Sequence, residues 1–249
     1  MKYLFLHAHP DDETLSTGGV IATLTAAGHR VCLVTATRGE RGEIRPDVAV
    51  GPDGLAALRE RELTAACATL GIAARVFLGE PPARAAGLPP RRYEDSGMRW
   101  IADGLAGPAA DIGPDALTKA DLDAAAADLA AAIDCWQPDY LITYDETGGY
   151  GHPDHVYCHR LAQRVGEPVD LDLPVDRATL PTVKAALACY PSQLTVVDNQ
   201  IIHVGGQIEG IDIGRPQTGE ASVLSRLRPM DRPHQNDRAR FNAAGFLQG

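Results

Sequence analysis

The sequence predicts an α/β fold with a mostly parallel sheet, helices on both faces and an irregular C-terminal region. Three observations carry that reading. The chain opens in the order strand, loop, helix, strand, which favours a right-handed parallel βαβ unit. Two distant apolar runs, Tyr3–Leu6 and Tyr140–Thr143, each give way to a loop dense in His and Asp. In an open parallel sheet, loops at the C-terminal ends of strands form the active edge. Finally, 249 residues of which 45% are hydrophobic and 22% charged suffice for a large core in one unit. A single domain over 1–249 is therefore expected, with a core over 1–165 and a substrate-pocket region over 166–249.

Taken in order, Tyr3–Leu6 reads as a buried strand, and Leu15–Ala27 as a helix rich in Ala, Leu and Ile that Gly28 ends with a left-handed cap. Arg30–Thr35 supplies the second strand, and Thr37–Glu43, with two glycines and four charges, lies at its C-terminal end. Residues 44–54 hold Pro46, Gly51, Pro52 and Gly54 and form a loop. Leu55–Leu70 returns to helix with Leu63, Cys67 and Leu70 on one face, closed by Gly71. Arg75–Leu78 is a third strand. Residues 79–120, rich in Pro, Gly and Arg, show little periodicity, and so long an irregular stretch in a compact domain is usually a functional loop or lid. Thr118 and Asp121 have capping-box spacing ahead of a helical face of Leu122, Leu129, Ile133 and Trp136. After the Tyr140 strand, Val156–Val165 and Val183–Cys189 read as helices with a Pro- and Asp-rich connector over 166–181. Leu194–Val197 and Gln200–Val204, joined through Asp198-Asn199, look like a hairpin.

A net charge of −10 speaks against nucleic acid, whose affinity comes largely from Lys and Arg at phosphates. No apolar run approaches the roughly eighteen residues that span a bilayer, and no basic-then-apolar leader is evident, so a soluble, cytoplasmic protein without a membrane partner is expected. Homo-oligomerisation is left open. Five cysteines, odd in number and without C-x-x-C spacing, read as reduced core residues, Cys158 included. Any metal must then take nitrogen and oxygen ligands.

His7-Ala8-His9-Pro10-Asp11-Asp12-Glu13 packs two histidines and three carboxylates into seven residues. With Pro10 bending the chain, His9 and Asp12 point into one cavity, and His155, entering from the opposite loop where Pro153 starts a helix, completes a set of two His and one carboxylate. That set is common in catalytic zinc sites and keeps a position open for water. Asp11, beside a ligand but not needed for coordination, is the natural base. His152, with Asp154 two residues on, could be held as imidazolium to stabilise an oxyanion, and Tyr150 could donate its hydroxyl to the same oxygen. His7 should end its strand and support the site without ligating. His159 reads as support and not as a fourth ligand, and His29, His203 and His234 have no acidic neighbours in sequence.

These residues resemble a family. Ala8-His9-Pro10-Asp11-Asp12-Glu13 with the Gly18-Gly19 helix start, and His152-Pro153-Asp154-His155, are similar to the two signatures of the LmbE-like, or PIG-L, de-N-acetylases. The likeness covers about residues 2–165, including Thr37–Glu43 and Arg59–Leu63. Leu15–Gly19, Arg92–Met98 and Tyr144–His155 are most similar to the mycothiol-pathway deacetylases of actinobacteria. The resemblance implies a Rossmann-like fold and zinc-dependent release of acetate from an N-acetylglucosamine unit, with one zinc per chain and iron(II) as the alternative metal. It assigns His9, Asp12 and His155 as ligands, Asp11 as base, His152 with Tyr150 as oxyanion stabilisers, and Arg59 and Asp95 as substrate contacts. The chain departs from the family in its shorter length and its Gly/Pro/Arg-rich C-terminus.

The leading expectation is thus a deacetylase of a small N-acetylglucosamine-containing molecule. The alternatives are an amidase of the same site that removes a larger acyl group from an amino-sugar conjugate or natural product, and a non-catalytic sugar- or nucleotide-binding module. The last is disfavoured because the first loop lacks G-x-G-x-x-G and because a binder has no use for Asp11 beside the ligands.

Overall fold

In a computed structural model of the chain, residues 1–168 and 173–213 are described, together with the backbone of 222–226. Strands and helices alternate first: β1 (Lys2–His7), α1 (Asp12–Ala26), β2 (Arg30–Thr35), α2 (Gly54–Leu70) and β3 (Ala74–Phe77). A hairpin of β4 (Met98–Ala102) and β5 (Leu105–Pro108) follows, then α3 (Leu122–Trp136), β6 (Tyr140–Tyr144), the single turn α4 (Gly148–Gly151) and α5 (Pro153–Val165). Next come β7 (Glu167–Pro168), α6 (Leu180–Leu187), β8 (Leu194–Val197), β9 (Gln200–His203), β10 (Ile208–Gly210) and β11 (Ser222–Arg226).

The main sheet has the order β3-β2-β1-β6-β11-β7. Its first four strands are parallel, and β11 runs antiparallel to both β6 and β7. The chain winds outward through β2 and β3, then returns to lay β6 on the other side of β1. This reversal opens a crevice between the C-terminal ends of β1 and β6, the place where ligands bind in open α/β sheets. Both His/Asp loops leave from it.

β1 shows why helices cover both faces. Successive side chains of a strand point to opposite faces, and every residue of Tyr3–His7 is buried. Tyr3 and Phe5 join a core with α1, α2 and α6 residues such as Leu24, Leu63 and Leu187. Leu4 and Leu6 join a second core with Leu129 and Ile133 of α3 and Leu161 of α5. A strand buried on both sides reads as a continuous apolar run, as β1 does.

Several expectations need correction. Two helices begin three residues early, α1 at Asp12 and α5 at Pro153, because acidic first turns and a proline at the first helical position are favourable there. Asp121 is itself the N-cap of α3, accepting from Ala124 N at 2.8 Å, whereas Thr118 sits in a preceding 3₁₀ turn and bonds Ser96 Oγ at 2.9 Å. The span 79–120 is not structureless: it holds β4–β5, turned at Asp103-Gly104 with Gly104 at φ 68°. An Asp-Gly between apolar runs is a hairpin signal, here hidden by the surrounding Gly, Pro and Arg. The expected Leu194–Val204 hairpin is present as β8–β9, and β10 extends it to three strands. Most of the Gly/Pro/Arg-rich tail, His234 included, lies outside the described residues.

Candidate active site

The first loop is built around a backbone that most residues avoid. Asp11 has φ 92°, a region costly for a side chain with a Cβ. Glu13 offsets this cost: its Oε2 accepts from Asp11 N at 3.2 Å, and its Oε1 accepts from Tyr190 Oη at 2.6 Å and from the Thr14 hydroxyl. Glu13 is fully buried, and burial pushes its carboxyl up to about 7. Glu13 has no role legible from its motif alone, although an acid in the first turn of a helix with an apolar face is a signal.

Three donor atoms converge at the crevice. His9 Nδ1 and Asp12 Oδ2 are 3.1 Å apart, Asp12 Oδ2 and His155 Nε2 3.3 Å, and the two ring nitrogens 3.4 Å. A tetrahedral zinc with ligand bonds of about 2.0–2.2 Å spaces its ligand atoms roughly 3.3–3.6 Å apart. Two edges of the triangle match one face of such a site, and the His9–Asp12 edge is slightly shorter.

The partners behind the triangle point the lone pairs inward. His9 Nε2 faces Asp154 Oδ2 at 3.2 Å, and His155 Nδ1 faces the Gly148 carbonyl at 3.3 Å; with those two protons donated outward, His9 Nδ1 and His155 Nε2 would be the nitrogens open to a cation. The Tyr144 hydroxyl donates to Asp12 Oδ2 at 2.7 Å and its ring stacks on His155 at 4.1 Å. Gly148, at φ 65°, is required here because a Cβ would come 2.9 Å from His155 Cβ and Val156 N. Burial lowers the His9 pKa, yet Asp95, Asp12 and Asp154 together hold it well above the usual value. Carboxylates that stabilise an imidazolium at this point would equally stabilise a metal cation in its place.

Asp11 lies beside the triangle and lines the cavity. Burial raises its pKa to about 6, against the pull of Arg59, whose Nη2 is 2.9 Å from Asp11 Oδ2. His152 caps α5, its Nδ1 accepting from Asp154 N at 3.2 Å, so its proton sits on Nε2. Tyr150 lies against it, ring centroids 6.0 Å apart.

Two expected roles change, and a third gains partners. His152 is not held as imidazolium: burial, then His9 and His155, push its pKa well below the usual value. Asp154, placed at the second position of α5, directs its carboxylate to His9 and to Ser96 N at 2.9 Å; it is fully buried and does not line the cavity. Arg59, expected to meet substrate, lines the cavity and also binds Asp11, the Gly39 carbonyl at 3.0 Å and the Pro10 carbonyl. It occupies the space a Cβ at Gly39 would need, and so ties the loops after β1 and β2 together. Asp95 lines the cavity with Oδ1 3.7 Å from His9 Nε2, while its oxygens also accept from Arg41 N and Gly97 N.

Other histidines sort by partner. His7 ends β1 and bonds Thr17 Oγ1 at 2.9 Å, and His159 Nδ1 meets the Tyr144 carbonyl at 3.0 Å. His203, thought to lack an acidic neighbour, faces Glu209 at 3.7 Å across β9 and β10 and lines the cavity. Only the pairing of those strands brings the two together.

A model of the PIG-L family, described as GlcNAc-PI de-N-acetylase, matches residues 4–165. Among curated relatives, a 1D-myo-inositol 2-acetamido-2-deoxy-α-D-glucopyranoside deacetylase of Thermobispora bispora is 43% identical over 171 residues, 67% of this chain and 51% of its own. One of the same name from Acidothermus cellulolyticus is 48% identical over 166 residues, 65% of this chain and 51% of its own. The chain thus spans about half the length of the curated relatives it matches. Among solved structures, the zinc-inhibited form of a teicoplanin deacetylase matches with TM-score 0.53 and 19% identity over 92% of this chain and 100% of that one. The N,N′-diacetylchitobiose deacetylase of Pyrococcus horikoshii gives 0.52 and 19% over 76% and 69%; both show the shared fold. With both signature loops meeting at the sheet's reversal point and the family model covering well over half of its length, this chain belongs to the PIG-L family of de-N-acetylases.

Proposed function

We propose that the chain is a zinc-dependent N-deacetylase that hydrolyses the acetamide of a small N-acetylglucosamine-containing molecule to free amine and acetate. The observation that carries this reading is the triangle of His9 Nδ1, Asp12 Oδ2 and His155 Nε2 with Asp11 at its side. The activity named for the curated relatives supports it. One metal ion per chain would be held by His9, Asp12 and His155. Zinc in such a site polarises a carbonyl oxygen and brings the pKa of water from about 15.7 to roughly 7; iron(II) is the alternative occupant.

The chain's own groups do the rest. Asp11 takes the proton of the attacking water and returns it to the departing amine, held in place by Arg59 and by the Glu13 contact to its backbone. His152 donates Nε2–H, and Tyr150 its hydroxyl, to the acyl oxygen as charge builds there; one such donor is typically worth about 3–4 kcal/mol. A neutral imidazole suffices for this. Asp95 contributes a cavity-facing carboxylate beside His9 for a sugar hydroxyl. Free cysteines throughout accord with a cytoplasmic setting, and among the described residues no helix is long and apolar enough to cross a membrane.

The test is amine release from N-acetylglucosaminides by the zinc-loaded chain, beside elemental analysis of the purified protein. Turnover with one equivalent of metal supports the reading. Stoichiometric metal without turnover of any N-acyl amino sugar would return the chain to a binding module, and release only from substrates with larger acyl groups would make it an amidase of the same site.

A further inference from the structure

α3 buries Ala125, Ala126, Leu129, Ala132 and Ile133 together with one carboxylate, that of Asp128, which is fully enclosed. A carboxylate in such a place is costly unless it is paired, and this one collects its donors from the segment that follows β3. Asp128 Oδ2 accepts from Arg84 Nη1 and from the Tyr93 hydroxyl, each at 2.8 Å, and Oδ1 accepts from Ala85 N at 2.8 Å. Tyr93 is itself fully buried, with the Arg91 guanidinium 4.7 Å over its ring. Gly79, at φ 88°, lets the chain pass beside it, since a Cβ there would collide with the Arg91 carbonyl and come 3.1 Å from the Tyr93 ring.

Just past Tyr93 this anchored segment reaches the metal-capable triangle. Ser96 N donates to Asp154 Oδ2 at 2.9 Å, and the same oxygen faces His9 Nε2 at 3.2 Å. Thr118 holds Ser96 from behind, its N and its hydroxyl both reaching Ser96 Oγ, and Glu94 bonds the backbone of Asp115 and Leu117. A continuous line thus runs from Asp128 through Tyr93, Ser96 and Asp154 to His9. Net stability does not account for its buried ion pair, because replacing such a pair by apolar residues is often neutral or stabilising. A short run pinned at both ends does set where one N–H points.

We infer that Asp128 and Tyr93 are positioning residues for the metal-capable site: by fixing the run from Tyr93 to Ser96 they hold the Asp154 carboxylate on His9 Nε2. This deepens the deacetylase reading and rests on its assignment of His9 as a ligand. A histidine ligand is oriented by the group behind its other nitrogen, and a carboxylate oxygen shared by two donors keeps its place only while both keep theirs. Loss of the Tyr93 hydroxyl lets the run shift, draws Ser96 N away from Asp154 Oδ2 and loosens the His9 ring.

Tyr93→Phe removes the hydroxyl and keeps the ring, with Arg84 and Ala85 still on Asp128. Tyr157→Phe is the control: it deletes another tyrosine hydroxyl bond in the same core, to the Ala120 carbonyl at 3.0 Å, off the line to His9. In the full chain, zinc affinity measured by chelator competition should fall roughly three- to tenfold in Tyr93→Phe, less than the 10- to 100-fold typical when the group behind a ligand is itself changed, and stay unchanged in Tyr157→Phe. The Ser96 amide of the metal-free protein, followed by hydrogen exchange, should exchange faster by a similar factor in Tyr93→Phe alone. An unchanged zinc affinity, an unchanged Ser96 amide, or equal losses in both variants overturns the inference and leaves the deacetylase reading standing. If the wild type retains no zinc, the metal reading fails and Ser96 decides the positioning by itself: faster exchange in Tyr93→Phe alone supports it, and unchanged exchange or equal changes in both variants overturn it. Should Tyr93→Phe not fold, Arg84→Gln weakens the same anchor from its rim and takes its place, with the same outcomes deciding.

Discussion

His9 and His155 each turn one ring nitrogen to a protein acceptor and the other to the same small volume, and two kinds of substitution should separate those uses. Replacing His9, Asp12 or His155 by Ala should abolish stoichiometric metal, read by elemental analysis of the purified variants. Asp154→Asn leaves every proposed ligand in place but weakens the acceptor behind His9, so metal affinity should fall about 10- to 100-fold in competition with a chelator. Asp11→Asn should keep its metal and lose on the order of 10² to 10⁴ in kcat. Normal turnover in that variant would mean that the base is elsewhere. At this scale the residue types were legible, because few chemistries need His and Asp packed so tightly at strand ends. The partner of each was less so. Asp154 is close to His152 in sequence, but the first turn of α5 swings its side chain to His9, 145 residues away.

Loops and helix starts hold these residues where they act. Arg59 of α2 ties the loop after β2 to the loop after β1, and Tyr190, just beyond α6, reaches Glu13 in α1. Tyr190→Phe would leave buried Glu13 without one donor, and an unsatisfied buried group costs about 1–3 kcal/mol. Urea unfolding should show a loss of that size, accompanied by lower kcat with metal content unchanged, because the Asp11 backbone depends on the other Glu13 oxygen. A stability loss without any change in kcat would make the contact purely structural. The helices and parallel strands were readable from apolar periodicity and caps. The β4–β5 hairpin was not, since its strands are short and mostly exposed and so carry no burial pattern.

The described residues beyond 165 share a core with the N-terminal elements and are not an appendage to residues 1–165. Val183, Leu187, Tyr190, Leu194 and Ile201 are buried in one cluster with Phe5, Leu24 and Leu63. Leu187→Ala should therefore cost about 2–5 kcal/mol in chemical denaturation. A chain cut after Val165 should be insoluble or lack a cooperative unfolding transition, checked by circular dichroism. A soluble, cooperative fragment would show that the segment only shapes the pocket. By itself, the sequence determined the α/β class, the parallel winding order and the two loops that carry the chemistry, because strand periodicity, helix signals and ligand-type residues are local properties. Only the tertiary structure decided which strands bring the loops together, that Arg59 pairs with Asp11 and Asp154 reaches His9, and that His203 finds Glu209. Those pairings depend on which strands become neighbours and how each helix start is turned. They join residues whose separation in sequence bears no relation to their distance in space.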